Sequence, residues 1–180
     1  MKTVFFDIDT QLDFVLPAGA LYVPGAESIL PAISALNRFA IAGSHPQIST
    51  MDAHAEDDVE FRQWPHHCVQ GSLGQRKAEC TLVSGQIILE KQTVDIFHSP
   101  RLQPLLDSLD ADRYIVYGVA TEVCVGIAAR GLLRSGKPVI VVEDAIRAIA
   151  INSGSLTLRE LCAAGAQLST VSRITGSSPA

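Results

Sequence analysis

Long apolar runs, basic clusters and closely paired cysteines are all missing from this 180-residue sequence. No apolar stretch approaches the roughly 18 residues of a membrane helix, so no membrane association is expected. After Lys2 the run Val4-Phe5-Phe6 stops at Asp7, too soon for the core of a secretory leader. The expected compartment is the cytoplasm, where thiols stay reduced. The net charge is -5, and Arg130, Arg134 and Lys137 are scattered along a helix and its exit. That argues against a nucleic-acid partner, which needs concentrated Lys and Arg. The four cysteines, Cys68, Cys80, Cys124 and Cys162, form no C-x-x-C pair, which argues against a thiolate zinc site or a redox dithiol. Each is then a small buried hydrophobe or a nucleophile.

What is present is an alternation of strand and helix. Strands are expected at Thr3 to Ile8, Gln47 to Met51, Gln86 to Leu89, Tyr114 to Val119, Pro138 to Val142 and Gln167 to Val171. Between them, Ile29, Leu30, Ile33, Leu36 and Phe39 repeat at helical spacing within Glu27 to Ala42. Further helices are expected from Pro100 to Leu109, from the turn after Val119 to Leu133, and from Leu156 to Ala164. Buried apolar strands separated by helices predict an α/β fold, a three-layer α/β/α sandwich around a mostly parallel, Rossmann-like sheet of roughly six strands. Residues 1–180 read as one domain, with a polar, His-rich loop at about 52–77 of the length that is usually functional. The tail from Thr175 to Ala180 is expected to fray.

In such sheets ligands bind beyond the carboxyl ends of the strands. Asp9, Asp52, His54, Lys91 and Cys124 all follow expected strands, and this convergence is independent of any resemblance. Cys124 sits where a strand gives way to a helix, whose free N–H groups and positive end favour a thiolate and an oxyanion. Its ordinary alternative is a buried Cys filling a core gap. Asp9 could take the thiol proton and return it to a leaving amine. Lys91 could pair with Asp9 and charge the sulfur, or form a solvated pair with Glu90 or Asp95. Asp52 and His54, two positions apart, face the same side of an extended segment. With Glu60 and one of the adjacent His66 and His67 they offer ligands for a divalent metal such as zinc, iron or manganese. A competing pattern exists. Phe6-Asp7-Ile8-Asp9-Thr10-Gln11-Leu12 resembles the aspartate-nucleophile motif of haloacid-dehalogenase-like phosphatases, with Lys137 and Glu143-Asp144 as later partners, but it leaves Cys124 and the His-rich loop unused.

Three segments carry a different resemblance. Asp9-Thr10-Gln11-Leu12-Asp13-Phe14 resembles D-x-Q-x-D-F, Gly118 to Val125 resembles G-[VI]-A-T-x-x-C-V, and Trp64 to Gly71 resembles W-P-x-H-C-V-x-G. In this order they are similar to the nicotinamidase/isochorismatase superfamily of cysteine hydrolases, nicotinamidase branch, from Val4 to about Ala148. The resemblance implies that Cys124 attacks a small carboxamide substrate, Asp9 shuttles the proton and Lys91 orients the pair. It further implies an oxyanion hole from the N–H groups of Ala120 and Cys124, and a cis Val119–Ala120 bond. Asp52, His54 and His67 would hold the metal, with Glu60 where many members have His. Phe14 and Trp64 would sandwich an aromatic ring, such as that of nicotinamide. Glu122-Val123 replaces the Asp-plus-aromatic or Asp-His pair common in nicotinamidases. A related hydrolase of another small amide or vinyl ether, or a silent binding protein on the same fold, remains the alternative. Association into a homo-oligomer is compatible with this class, though no interface is readable.

Overall fold

Strand β1 (Thr3–Ile8) is buried at every position, as its run of β-branched and aromatic residues requires of a central strand. Around it, β2 (Gln47–Asp52), β3 (Ile87–Lys91), β4 (Arg113–Val119), β5 (Val139–Arg147) and β6 (Gln167–Ser169) complete a sheet in the order β3-β2-β1-β4-β5-β6. Every pairing is parallel. The computed structural model describes residues 1–176.

The helices are α1 (Leu12–Val15), α2 (Leu30–Ala42), α3 (Leu102–Leu109), α4 (Gly126–Leu133), α5 (Ile151–Ala163) and α6 (Val171–Thr175). Helix α2 opens with Pro31 in its first turn and buries Ile33, Leu36 and Ala40, a stripe at helical spacing. It packs with α6 and against β1, β2 and β5, while α4 packs with α5 and against β4 and β5. The expected α/β architecture and its parallel sheet are therefore present, built on a core that includes Phe5, Phe6, Ile8, Ile115, Val116 and Tyr117.

Several boundaries differ from expectation. Lys91 is the last residue of β3 rather than a residue beyond it. Strand β5 continues through Glu143 and Asp144 to Arg147, because its register against β4 shifts between Val116 and Gly118 and pairing resumes at Ile146. Helix α5 starts at Ile151, not near Leu156; Ile151 is 84% exposed, so its first turn has no apolar periodicity to read. Helices α1 and α6 are too short to show a period. Helix α6 takes in Thr175, the first residue of the expected frayed tail, while residues 177–180 lie outside the described residues.

Candidate functional site

The strand order reverses between β1 and β4, and open α/β sheets bind ligands at such a switch point. Two of the singled-out side chains arrive there from adjacent strands. Gly118 near the end of β4 has φ +118°, and a Cβ on it would stand 2.1 Å from the Ile8 carbonyl oxygen. Only glycine permits that approach. The Val119–Ala120 peptide is cis. Thr121–Val125 then forms a π-helical turn that carries Cys124, buried to 7% exposure, into α4.

Asp9 follows β1 with a left-handed backbone, φ +50°. Thr50 of β2 holds it twice: its hydroxyl accepts the Asp9 N–H at 3.2 Å and donates to Asp9 Oδ1 at 2.6 Å. The other oxygen, Oδ2, lies 2.9 Å from Lys91 Nζ but has no aligned hydrogen bond. The Lys91 ammonium is buried among Asp9, Asp52, to which it donates, and Cys124 Sγ at 3.8 Å. Three side chains distant in sequence thus meet at one point.

Burial pushes the Cys124 thiol up; Lys91 pulls it back, but Asp9 and Asp52 add to the rise, and it ends well above the ordinary thiol range. The single ammonium is shared with two carboxylates. Burial also raises Asp9, more than Lys91 lowers it, so Asp9 is a stronger base than a surface carboxylate. Burial opposes the Lys91 charge, yet Asp9, Cys124 and Asp52 hold its pKa well above the usual value.

Asp52, His54 and His67 present ligand atoms that all lie within 4.8 Å of one another. Asp52 Oδ2 is 3.8 Å from His54 Nε2 and 3.7 Å from His67 Nε2. The remaining ring nitrogens are occupied: His54 Nδ1 is 3.0 Å from Asp58 Oδ2, and His67 Nδ1 is 2.7 Å from the Pro65 carbonyl oxygen. Those contacts fix both rings with Nε2 turned inward, the arrangement that orients histidines at metal centres. His54 Nε2 is buried without a hydrogen-bond partner. An orphaned imidazole nitrogen between a carboxylate and a second imidazole fits a divalent metal. Burial opposes ionisation of Asp52, but Lys91 and then the two histidines hold its carboxyl well below the usual range. Glu60 lies outside this cluster of three and on the wall of the adjoining pocket. His66 turns away and stacks on Phe61, ring centroids 4.2 Å apart.

The pocket encloses about 410 Å³, mouth included, with Asp9, Cys124, Asp52 and His67 among its lining groups. Phe14 and Trp64 both line it, as do Ala120, Val123 and Ile149. A mostly apolar cleft with a few convergent polar groups is the usual form of a small-molecule site.

Sequence reasoning missed the residues that hold this arrangement. Gln11 donates to the carbonyls of Asp52 and Gln75, each at 2.8 Å, and accepts the Asp52 N–H at 2.7 Å. Asp13 accepts the N–H of Cys68 at 2.7 Å and that of Ala20 at 3.0 Å, tying the His-rich loop to α1. The motif positions of Gln11 and Asp13 were the available signal; nothing marked Thr50 or Asp58. The phosphatase pattern disperses. Asp7 is fully buried and pairs with Lys77, Lys137 lies 3.8 Å from Asp110, and Asp144 accepts the Val171 N–H of α6.

No described helix is long and apolar enough to cross a membrane. The nicotinamidase of Acinetobacter baylyi is 27% identical over 89% of this chain and 88% of its own. The pyrazinamidase of Pyrococcus horikoshii, solved in complex with zinc, superposes with a TM-score of 0.89 at 28% identity, covering 94% of this chain and 99% of that one. A protein from L. infantum in complex with nicotinate superposes at 0.85 with 30% identity, covering 95% and 93%. Residues 3–173 match the isochorismatase domain, and the chain belongs to that family.

Proposed function

We propose that this protein is a metal-containing cysteine amidohydrolase that converts nicotinamide, or a close aromatic amide, to the acid and ammonia. One observation carries the reading: the Lys91 ammonium touches Asp9 at 2.9 Å and Cys124 Sγ at 3.8 Å beside an apolar pocket. The nicotinamidase relative and the nicotinate and zinc complexes of the structural neighbours support the choice of amide and metal.

With an amide in the pocket, the Cys124 S–H proton passes to Asp9 Oδ2 and the sulfur adds to the carbonyl carbon. The carbonyl oxygen takes the displaced electron pair, and the backbone N–H groups of Ala120 and Cys124 would stabilise it. As the C–N bond breaks, Asp9 gives its proton to the nitrogen, and ammonia leaves a thioester on Cys124. Water then loses a proton to Asp9 and attacks the thioester. The acid departs and the sulfur recovers its proton from Asp9. Lys91 keeps its charge throughout, which steadies whichever of Asp9 and Cys124 is anionic. Phe14 and Trp64 would flank the aromatic ring. Asp52, His54 and His67 would hold the metal, with Glu60 as a further oxygen donor at the pocket wall; zinc, bound there, supplies a Lewis-acid centre for a ring nitrogen or a water.

The test is ammonia release from nicotinamide by the purified protein, with bound metal quantified alongside. Turnover that disappears in Cys124→Ala supports the reading. Metal-free protein inert toward nicotinamide but active on another small amide or vinyl ether would replace it with the related hydrolase.

A further inference from the structure

A second ion pair lies wholly inside the protein, away from the pocket. Lys77 Nζ is 2.9 Å from Asp7 Oδ2, with side-chain exposures of 1% and 0%. Burial alone does not account for such a pair, because apolar residues of similar volume often serve as well or better. Its connections do point to a role. Thr10 Oγ1 donates to Asp7 Oδ1 at 2.8 Å and accepts from the Lys77 ammonium. Asn37 of α2 donates to Asp7 Oδ2 at 2.8 Å, and Tyr117 of β4 donates to Asn37 Oδ1 at 2.7 Å.

These contacts surround the turn that carries Asp9. Asp7 precedes it on β1, Thr10 follows it directly, and Lys77 ends the loop that carries His54 and His67. The main chain repeats the clamp: Leu12 N–H donates to the Arg76 carbonyl at 2.8 Å and Ala78 N–H to the Thr10 carbonyl at 2.9 Å. Asp9 itself has a left-handed backbone, which a side-chain-bearing residue keeps only when its surroundings enforce it.

We propose that the Asp7–Lys77 pair, acting through Thr10, is a positioning device that holds the Asp9 turn so that its carboxylate meets the Cys124 thiol. The role rests on the amidohydrolase reading for its kinetic consequence but not for its structural one. Asp7 and Lys77 touch neither the pocket nor the reacting atoms, so the binding of substrate does not depend on them. A displacement of Asp9 by about an ångström is enough to cost a factor of roughly 100 in rate.

The experiment compares the wild type with the charge-free double variant Asp7→Leu/Lys77→Met. Hydrogen exchange reports on residues 9–12, and amide hydrolysis gives kcat and KM. The expected result is a folded protein with faster exchange at residues 9–12, kcat reduced about 10- to 100-fold and KM within about twofold. Unchanged exchange in that segment, or kcat within about twofold of wild type, overturns the proposal. Should the double variant fail to fold, Thr10→Val and Thr10→Ser decide: more kcat retained by the hydroxyl-bearing Ser supports it, and equal losses overturn it. If the wild type hydrolyses no amide, the functional reading fails, and the exchange measurement alone settles the positioning claim.

Discussion

Gln11 grips the backbone of Asp52 with both ends of its amide, accepting the N–H at 2.7 Å and donating to the carbonyl at 2.8 Å. The side chain is fully buried, so nothing but protein satisfies these groups. It links the turn after β1, which carries Asp9, to the last residue of β2, whose carboxylate belongs to both the Lys91 cluster and the metal cluster. Gln11→Met keeps the volume and removes every polar partner. The buried N–H and C=O groups left unpaired cost about 2–4 kcal/mol of stability. Asp52 also loses its register, and metal affinity falls about 10- to 100-fold, as for other supports of metal ligands. Thermal denaturation with a metal titration checks both; a normal melting temperature with normal affinity would refute the linkage.

Cys124→Ala is expected to abolish turnover, by about 10⁴-fold or more in kcat, while the protein still folds and binds metal. Asp9→Asn keeps the shape and the Thr50 contacts but has no proton-accepting carboxylate, and loses about 10²–10⁴-fold. Steady-state kinetics on the metal-loaded variants measures both. Appreciable activity without the sulfur would remove the thioester from the mechanism.

The fold and the site were unequally legible in the sequence. Strands such as Thr3–Ile8 and helix Leu30–Ala42 bury continuous or periodic apolar residues, and such patterns survive without coordinates. The juxtaposition of Asp9, Lys91 and Cys124 was legible because each lies at or just past the carboxyl end of a parallel strand, and parallel strands deliver those ends to one edge. The electrostatic balance was not. Burial and two carboxylates push the Cys124 thiol up against the pull of Lys91, and that balance comes only from packing. Equally hidden was Asp58, which fixes the His54 ring from four residues away by a contact no periodicity encodes.

His54 sets a pH dependence whose sign differs with and without metal. Burial opposes its charge, but Asp52 and Asp58 outweigh burial and raise its pKa above the usual 6.5. In metal-free protein the folded-state value thus exceeds the unfolded one. The stabilisation this supplies is complete below about pH 6.5 and is lost as pH rises through the folded value. Metal needs the neutral imidazole, so the metal-loaded protein gains stability over the same rise. Melting temperatures measured from pH 6 to 8.5, with chelator and with zinc, should diverge as pH increases. Parallel curves would show that His54 is not a ligand.

Glu122 ties the turn that carries Cys124 to the far wall of the pocket. Its carboxylate accepts the N–H of Ile149 at 3.1 Å and of Ala150 at 2.8 Å, the two residues that lead into α5. Ile149 and Val123 both line the pocket, so the carboxylate sets the spacing between two apolar surfaces that face the substrate. Glu122→Ala removes hydrogen bonds to the main chain worth about 1 kcal/mol in all and frees Ile149 to move. Cys124 keeps its place, because the Ala120 carbonyl still accepts the N–H groups of Val123 and Val125, each at 3.1 Å. The consequence is a rise in KM of about 3- to 10-fold, the size expected when about 1 kcal/mol of uniform binding is lost, with kcat within about twofold. Glu122→Gln still offers one accepting oxygen and should lie between the two. Kinetics on both variants tests this: a fall in kcat at constant KM would mean that Glu122 supports the sulfur, not the wall.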